Sequence, residues 1–243
     1  MNKLANRTKV LAVAVSLLAL SACGTHYITP SGPADLSRIS SPAIRDAYAA
    51  KPEANFPASI AIARIQAPGY RSHYIESYGK GEYSVVTARD FEQDADIKRL
   101  QSMPKVTGVA TLNRLLIPAQ LKGNEELREA AAKLQADILI IYTIDTGFFD
   151  QQKSAPLALV TLGFLPTKNV RVSSTAAALV MDVRSGFIYG AAEDTQKANQ
   201  FASSWTTEAA VDETRMKTER AAFNNLIGEI EKLWGLILAR HAT

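Results

Sequence analysis

Apolar positions along this chain fall into blocks, and the blocks differ in period. Ser59 to Ile65 is apolar on both parities and is closed by Pro68-Gly69, which predicts a central strand covered on both faces. Ala136 to Thr146 (Ala-Asp-Ile-Leu-Ile-Ile-Tyr-Thr-Ile-Asp-Thr) has the same character with a β-branched centre, and is the strongest strand signal in the sequence. Val106 to Ile117 reads as a strand or extended segment ending at Pro118. Leu179 to Val183 and Phe187 to Ala191 predict a hairpin around Asp182-Val-Arg-Ser-Gly186, with Gly186 supplying positive φ at the turn.

Other blocks have helical period. A helix is predicted from Thr87, with Asp90 as the second member of a capping box and Phe91, Ala95, Leu100 and Met103 as a loose apolar face, stopped by Pro104. A second runs from Glu125 to Gln135, with Asn124 as N-cap, Glu125 and Glu126 in the first turn and Lys133 in the last. From Thr207 to Arg240, Met216, Phe223, Leu226, Ile230, Leu233 and Ile237 recur at three and four, and Ile227, Trp234 and Leu238 widen the stripe. A stripe this wide over barely three heptads predicts a helix packed on a sheet, whole or with one break, in preference to a coiled coil. The elements together predict an α/β (α+β) fold: a single three-layer-like domain over residues 58–240, with a mixed sheet, flanking helices and a long C-terminal helix.

The N-terminus carries a different pattern. Lys3, Arg7 and Lys9 precede an apolar run from Val10 to Leu20, too short to span a bilayer but the right size for the core of a signal peptide. Small residues Ser21 and Ala22 then precede Cys23, the one cysteine of the chain. The expectation is a lipoprotein signal over residues 1–22, cleavage between Ala22 and Cys23, and lipidation of Cys23, giving membrane lipid as the first partner. Gly24 follows the cysteine, where an Asp would favour inner-membrane retention. The expected address is therefore the cell outer membrane, on the periplasmic side. Residues 23–57, punctuated by Pro30, Pro33, Pro42, Pro52 and Pro57, read as a flexible tether with a short helical piece from Pro42 to Ala50.

Composition is ordinary for a folded protein, at 47% hydrophobic and 21% charged. The formal charge of +3 is a property of the leader: without Lys3, Arg7 and Lys9 the 27 basic residues become 24, equal to the 24 acidic ones. No basic excess remains to hold a nucleic acid.

Pro156 to Pro166 links two predicted strands without a single charge. Its Leu157, Leu159, Val160, Leu162, Phe164 and Leu165 are either core or a contact with membrane or another subunit. Candidate chemistry is sparse. His26 and His241 lie near the ends, leaving His73 beside Tyr70, Tyr74, Tyr78 and Tyr83 in a polar loop. Those rings either cover a sheet edge or line a ligand groove. There is no Gly-x-Ser-x-Gly elbow, no HExxH and no CxxC, and Gly79-Lys80-Gly81 lacks the remaining residues of a phosphate loop. Asp137, Asp145 and Asp182 sit at strand positions and meet at one sheet end only if the topology allows it. No catalytic residue, metal or cofactor is assigned. The leading expectation is a non-enzymatic envelope protein that binds an envelope partner or self-assembles. The alternative is an envelope enzyme or small-ligand-binding lipoprotein using His73 and the tyrosine-rich loop.

Two resemblances follow from these motifs. Ala136-Asp137-Ile-Leu-Ile-Ile, Asp182-Val-Arg-Ser-Gly186 and the closing helix are similar to the small α/β domain of the curli secretion channel lipoprotein and the N-terminal domain of TolB. Leu115-Leu-Ile-Pro118, Leu127-Arg-Glu-Ala-Ala131, Ala136 to Thr146, Thr161-Leu-Gly-Phe-Leu-Pro-Thr167 and Ser203-Ser-Trp-Thr206 resemble the rhombotarget lipoprotein family. That family name implies processing at a Gly-rich, membrane-spanning C-terminal tail, whereas Leu236 to Thr243 is short and polar. Neither resemblance brings a catalytic residue with it.

Overall fold

A computed structural model describes residues 32–36, 44–72, 74–152, 168–202 and 208–242. After helix α1 (Ile44–Ala49) come β1 (Ala58–Gln66), β2 (Lys80–Gly81), β3 (Ser84–Val86), α2 (Asp94–Gln101), β4 (Val106–Thr111) and β5 (Gln120–Leu121). Then follow α3 (Glu125–Lys133), β6 (Ile138–Gln152), β7 (Lys168–Asp182), β8 (Ile188–Ala202) and α4 (Glu208–His241). The six-stranded sheet has the order β3-β1-β6-β7-β8, with β4 also on β1. β1 pairs parallel with β4 and β6, while β6, β7 and β8 form an antiparallel meander. The mixed sheet, flanking helices and long closing helix are those expected from the sequence.

The two strands that are apolar on both parities are central, as required. Ile60, Ile62, Ile138, Ile140, Tyr142 and Ile144 face α4, whose Phe223, Leu226, Ile227, Ile230, Trp234 and Ile237 are buried against them. Burial of a side chain of this size contributes about 1.5–3 kcal/mol. Ala176 and Ala178 on β7 belong to the same cluster, and their small side chains let the helix sit close. Tyr142 and Phe223 rings lie 4.8 Å apart, and Trp234 Nε1 donates to Pro104 O at 2.8 Å. On the other face Ala61, Ala63, Ile65, Leu139 and Ile141 pack with Leu127, Ala130 and Ala131 of α3 and with Tyr83 and Leu121. The stripe of α4 is thus a sheet-packing face on one unbroken helix.

Three local expectations are corrected. The helix predicted from Thr87 begins at Asp94, where Gln93 and Asp96 form the capping box, and Asp90 pairs instead with Arg64. Asn124 precedes α3 but makes no side-chain cap; Glu126 accepts the amides of Lys122 and Gly123 at 3.0 and 3.1 Å. The predicted hairpin has the right turn, closed by Gly186 N to Asp182 O at 3.0 Å with Gly186 at φ 72°. Its strands, however, are fifteen residues each. β6, β7 and β8 therefore run on beyond the apolar centre as a three-stranded ribbon.

Segments preceding the domain also dock on it. Phe56 stacks edge-on to Trp234 at 5.6 Å, and Ala54 packs against the same cluster. Ala34 is buried on the opposite face, its amide donating to Thr143 Oγ1 at 3.2 Å, and Gly32 O accepts from Ala67 N at 3.4 Å. Among the described residues no helix is long and apolar enough to cross a membrane.

Candidate functional site

The strand aspartates do not converge. Asp137 and Asp182 share one end of the sheet, since Ile138 pairs with Asp182, while Asp145 lies in the ribbon half opposite Thr175. Asp182 is a backbone clamp. Its Oδ2 accepts from the amides of Glu53 and Ala54 at 2.7 and 2.6 Å and from Tyr189 Oη at 3.0 Å, and its Oδ1 from the amides of Arg184 and Ser185. Burial acts to raise its pKa, but these donors outweigh burial and hold it below the usual carboxylate value. Asp137 is held low in the same way, with Ser59 N, Ser59 Oγ and Arg184 outweighing burial. Both carboxylates are committed to structure. His241, expected near a loose end, packs edge-on to Phe187 and Tyr189 at 6.0 and 5.3 Å.

The tyrosine-rich segment divides by ring. Tyr70 and Tyr83 are buried, Tyr78 packs partly against the cluster on the α3 face, and Tyr74 is exposed. A shallow pocket of about 340 Å3 lies here, lined by Tyr70, Arg71, Glu76, Ser77 and Lys80 among others. Gly79 and Gly81 flank Lys80 for a steric reason: a Cβ on Gly81 would come 2.1 Å from Leu121 O, where β2 meets β5. His73 lies outside the described residues, as do Cys23, Ala22 and the apolar stretch from Leu157 to Leu165. Among the described residues no group of three or more His, Cys, Asp or Glu is arranged to hold a metal ion.

Sequence reasoning missed a buried ionic network beneath the first turns of α4. Arg64 of β1 reaches Asp90 at 2.8 Å and Glu92 at 3.2 Å, and donates to Tyr70 Oη at 3.1 Å. Arg215 pairs with Asp212 at 2.7 Å and Glu219 at 2.6 Å, and its Nη1 is 3.9 Å from Asp90. Tyr142 Oη donates to Glu92, and Thr146 Oγ1 donates to Glu219 and lies 3.0 Å from Ser174 Oγ. Two guanidinium groups thus face four carboxylates. Burial would lower the Arg64 pKa, but Glu92 and Asp90 hold it above its ordinary value. Burial is the larger influence at Glu219 and raises its pKa despite Arg215 and Arg64. Folded Glu219 therefore keeps its proton to higher pH than the unfolded chain, so its contribution to stability falls as pH rises through that window. The one local signal was Arg64, a charge inside an otherwise apolar strand. The spacing Asp212, Arg215, Glu219 is that of ordinary solvent-facing helix pairs.

This network covers one face of the ribbon. The other face is open among the described residues. Beyond Thr143, where residues 32–36 cross, Asp145, Arg171, Glu193, Thr195, Lys197 and Asn199 are exposed, and Phe149 is 58% exposed. Register aligns these positions in rows: Asp145, Thr175 and Thr195 in one, Gly147, Ser173 and Lys197 in the next, then Phe149, Arg171 and Asn199. Thr175 and Thr195 hydroxyls touch at 2.8 Å. The result is a rigidly backed sheet surface of small and polar residues with one aromatic, suited to contact and carrying no nucleophile–base pair.

No family model matches the chain, and no curated protein matches it. Similar solved structures include a Xanthomonas campestris protein of family DUF330, at 11% identity and TM-score 0.35, covering 87% of this chain and 96% of that one. A neuraminyllactose-binding hemagglutinin homologue from Helicobacter pylori is 10% identical at TM-score 0.37, covering 77% of this chain and 93% of that one. Lipoprotein GNA1162 from Neisseria meningitidis is 9% identical at TM-score 0.28, covering 68% of this chain and 99% of that one. At such identities and TM-scores the fold assignment stands on the strand order and register themselves.

Proposed function

We propose that this chain is a non-enzymatic, lipid-anchored cell-envelope protein that presents the open side of its β6–β8 ribbon to envelope partners or to its own copies. The observation that carries this reading is the asymmetry of the ribbon: α4 and the ionic network back one face, and among the described residues the other is uncovered. Commitment of Asp137 and Asp182 to backbone and hydroxyl donors supports a structural reading of the strand-end acids. The anchor is acylated Cys23, facing the periplasm from the outer membrane. Gly32 lies beside Asp145, and Cys23 precedes it by nine residues, a reach of at most roughly 30 Å. The stretch from Leu157 to Leu165 belongs to the link between Gln152 and Lys168, which pair at the tip of the ribbon, and in this reading it is a second, apolar contact with membrane or another subunit.

Two experiments test this. Cys23→Ala leaves an unlipidated chain that no longer partitions with membranes; unchanged acylation sinks the anchor. A photocrosslinking residue at Phe149 of the lipidated protein in cells gives discrete adducts, and the same residue at buried Ala130 does not. Equal yields at the two positions would end the contact-surface reading.

A further inference from the structure

We propose that two copies of this chain join edge to edge through β8, antiparallel, with Thr195 opposite Thr195 of the second copy. The inference rests on reading the ribbon as a contact surface and names what occupies its edge.

β8 pairs with β7 on one side, and among the described residues no strand pairs with its other side. It is fifteen residues long and contains no proline, and its one register irregularity lies at its base, against Val180 and Met181. An edge this long and regular is a template for another strand unless charges guard it. The charges here are Glu193 and Lys197, both exposed on the open face and neither in an ion pair among the described residues, and Asp194 on the face towards α4, where it accepts from Asn225.

Their spacing selects one partner. A two-fold axis normal to the sheet keeps odd-numbered residues of both copies on the open face, so each permitted register is centred on one residue. Centring on Glu193 or Lys197 sets that charge against itself, and centring on Asp194 does the same on the covered face. Like charges directly opposite are destabilising. Centring on Gln196 leaves every charge without an opposite. Centring on Thr195 sets Glu193 opposite Lys197 of the second copy, twice by symmetry. Thr195 is also the midpoint of Ile188–Ala202, so this register pairs the whole strand.

The layer beneath accepts the same axis. α4 runs under β8 in the opposite direction, with Asn225 Nδ2 3.3 Å from Asp194 Oδ1 and Leu233 against Gly190. A helix seated between β7 and β8 would meet its mate at about 10 Å across one added strand spacing, the distance at which helices pack. The α4 residues at that level are Asn225 and Ala221, both small and exposed.

The test uses the full-length lipidated protein in cells. The wild-type chain, with its single cysteine acylated, sets the background for oxidation by copper phenanthroline. Cysteine is placed singly at Glu193, Thr195 or Lys197. Thr195→Cys is expected to give a reducible dimer several-fold above the other two, because direct cross-strand partners lie within disulfide reach and the other like pairs are offset by four residues, about 13 Å along the strand. In the Thr195→Cys background, Glu193→Lys or Lys197→Glu lowers the dimer yield several-fold, and the two changes together restore it. No excess of dimer at Thr195, or no recovery in the double exchange, overturns the pairing. Adducts at Phe149 persisting while Thr195→Cys stays monomeric would overturn this inference and leave the contact-surface reading intact.

Discussion

Arg64→Met is expected to lower the free energy of unfolding by about 3–5 kcal/mol, the cost of leaving buried carboxylates without their cation. Asp90 and Glu92 are both buried and lose their 2.8 and 3.2 Å partner together. The ring of Phe91, over which the guanidinium sits at 4.6 Å, loses its cation as well. Met fills much of the volume, so the loss reports the charge and not a cavity. The check is urea unfolding followed by circular dichroism: the midpoint falls with an unchanged slope. Adding Asp90→Asn and Glu92→Gln should return part of the loss, because an uncharged pair no longer demands a cation. A loss below about 1 kcal/mol for Arg64→Met would mean that the network contributes nothing net. The consequence reaches the ribbon. Arg64, Asp90, Arg215 and Glu219 tie β1, the loop before α2 and the first turns of α4 together under Thr146 and Ser174. Loosening that support should speed amide exchange in β8 before it affects β1.

What the sequence disclosed follows from how much apolar contrast each region needed. β1 and the lower half of β6 are covered on both faces, so both parities are apolar and the strands announce themselves. The same holds for α4, whose stripe had to fill one broad face of the sheet. The ribbon half of β6–β8 gave no such signal. One side is open among the described residues, and Thr175, Glu193, Thr195 and Lys197 there are polar or charged; the other is met by Thr146, Ser174, Asp194 and Gln196 in a polar layer. Without alternation there was nothing to mark the strands beyond Thr146 or Ala191. The ionic network was hidden for a different reason: Arg64 and Glu92 are 28 residues apart, and the fold alone brings them to Arg215. The aspartates show the reverse. Their positions at strand ends were visible, and there Asp182 accepts backbone amides and a tyrosine hydroxyl while Asp137 accepts Ser59 and Arg184. Asp145 took neither part, because the parallel β1–β6 pairing and the antiparallel meander put it well up the ribbon.

Asp182→Asn is expected to cost about 3 kcal/mol at neutral pH, and the cost has a distinctive pH dependence. Five donors converge on this carboxylate: the amides of Glu53, Ala54, Arg184 and Ser185, and Tyr189 Oη. An amide side chain keeps one acceptor oxygen and turns two N–H groups towards donors that then lack a partner, at roughly 1–3 kcal/mol for each buried group left unsatisfied. The turn after β7 and the segment leading into β1 depend on the same atom, so exchange at the Glu53 and Ala54 amides should accelerate first. The carboxylate's folded pKa lies below its unfolded value of 3.8. The folded protein therefore binds fewer protons than the unfolded chain in that window, and stability rises with pH through it. The wild-type advantage is complete above about pH 5 and disappears as pH falls through the depressed folded value. Unfolding free energies of the two proteins, measured from pH 7 to pH 2, should converge at the acid end. A gap that stays constant with pH would show that Asp182 works by shape and not by charge.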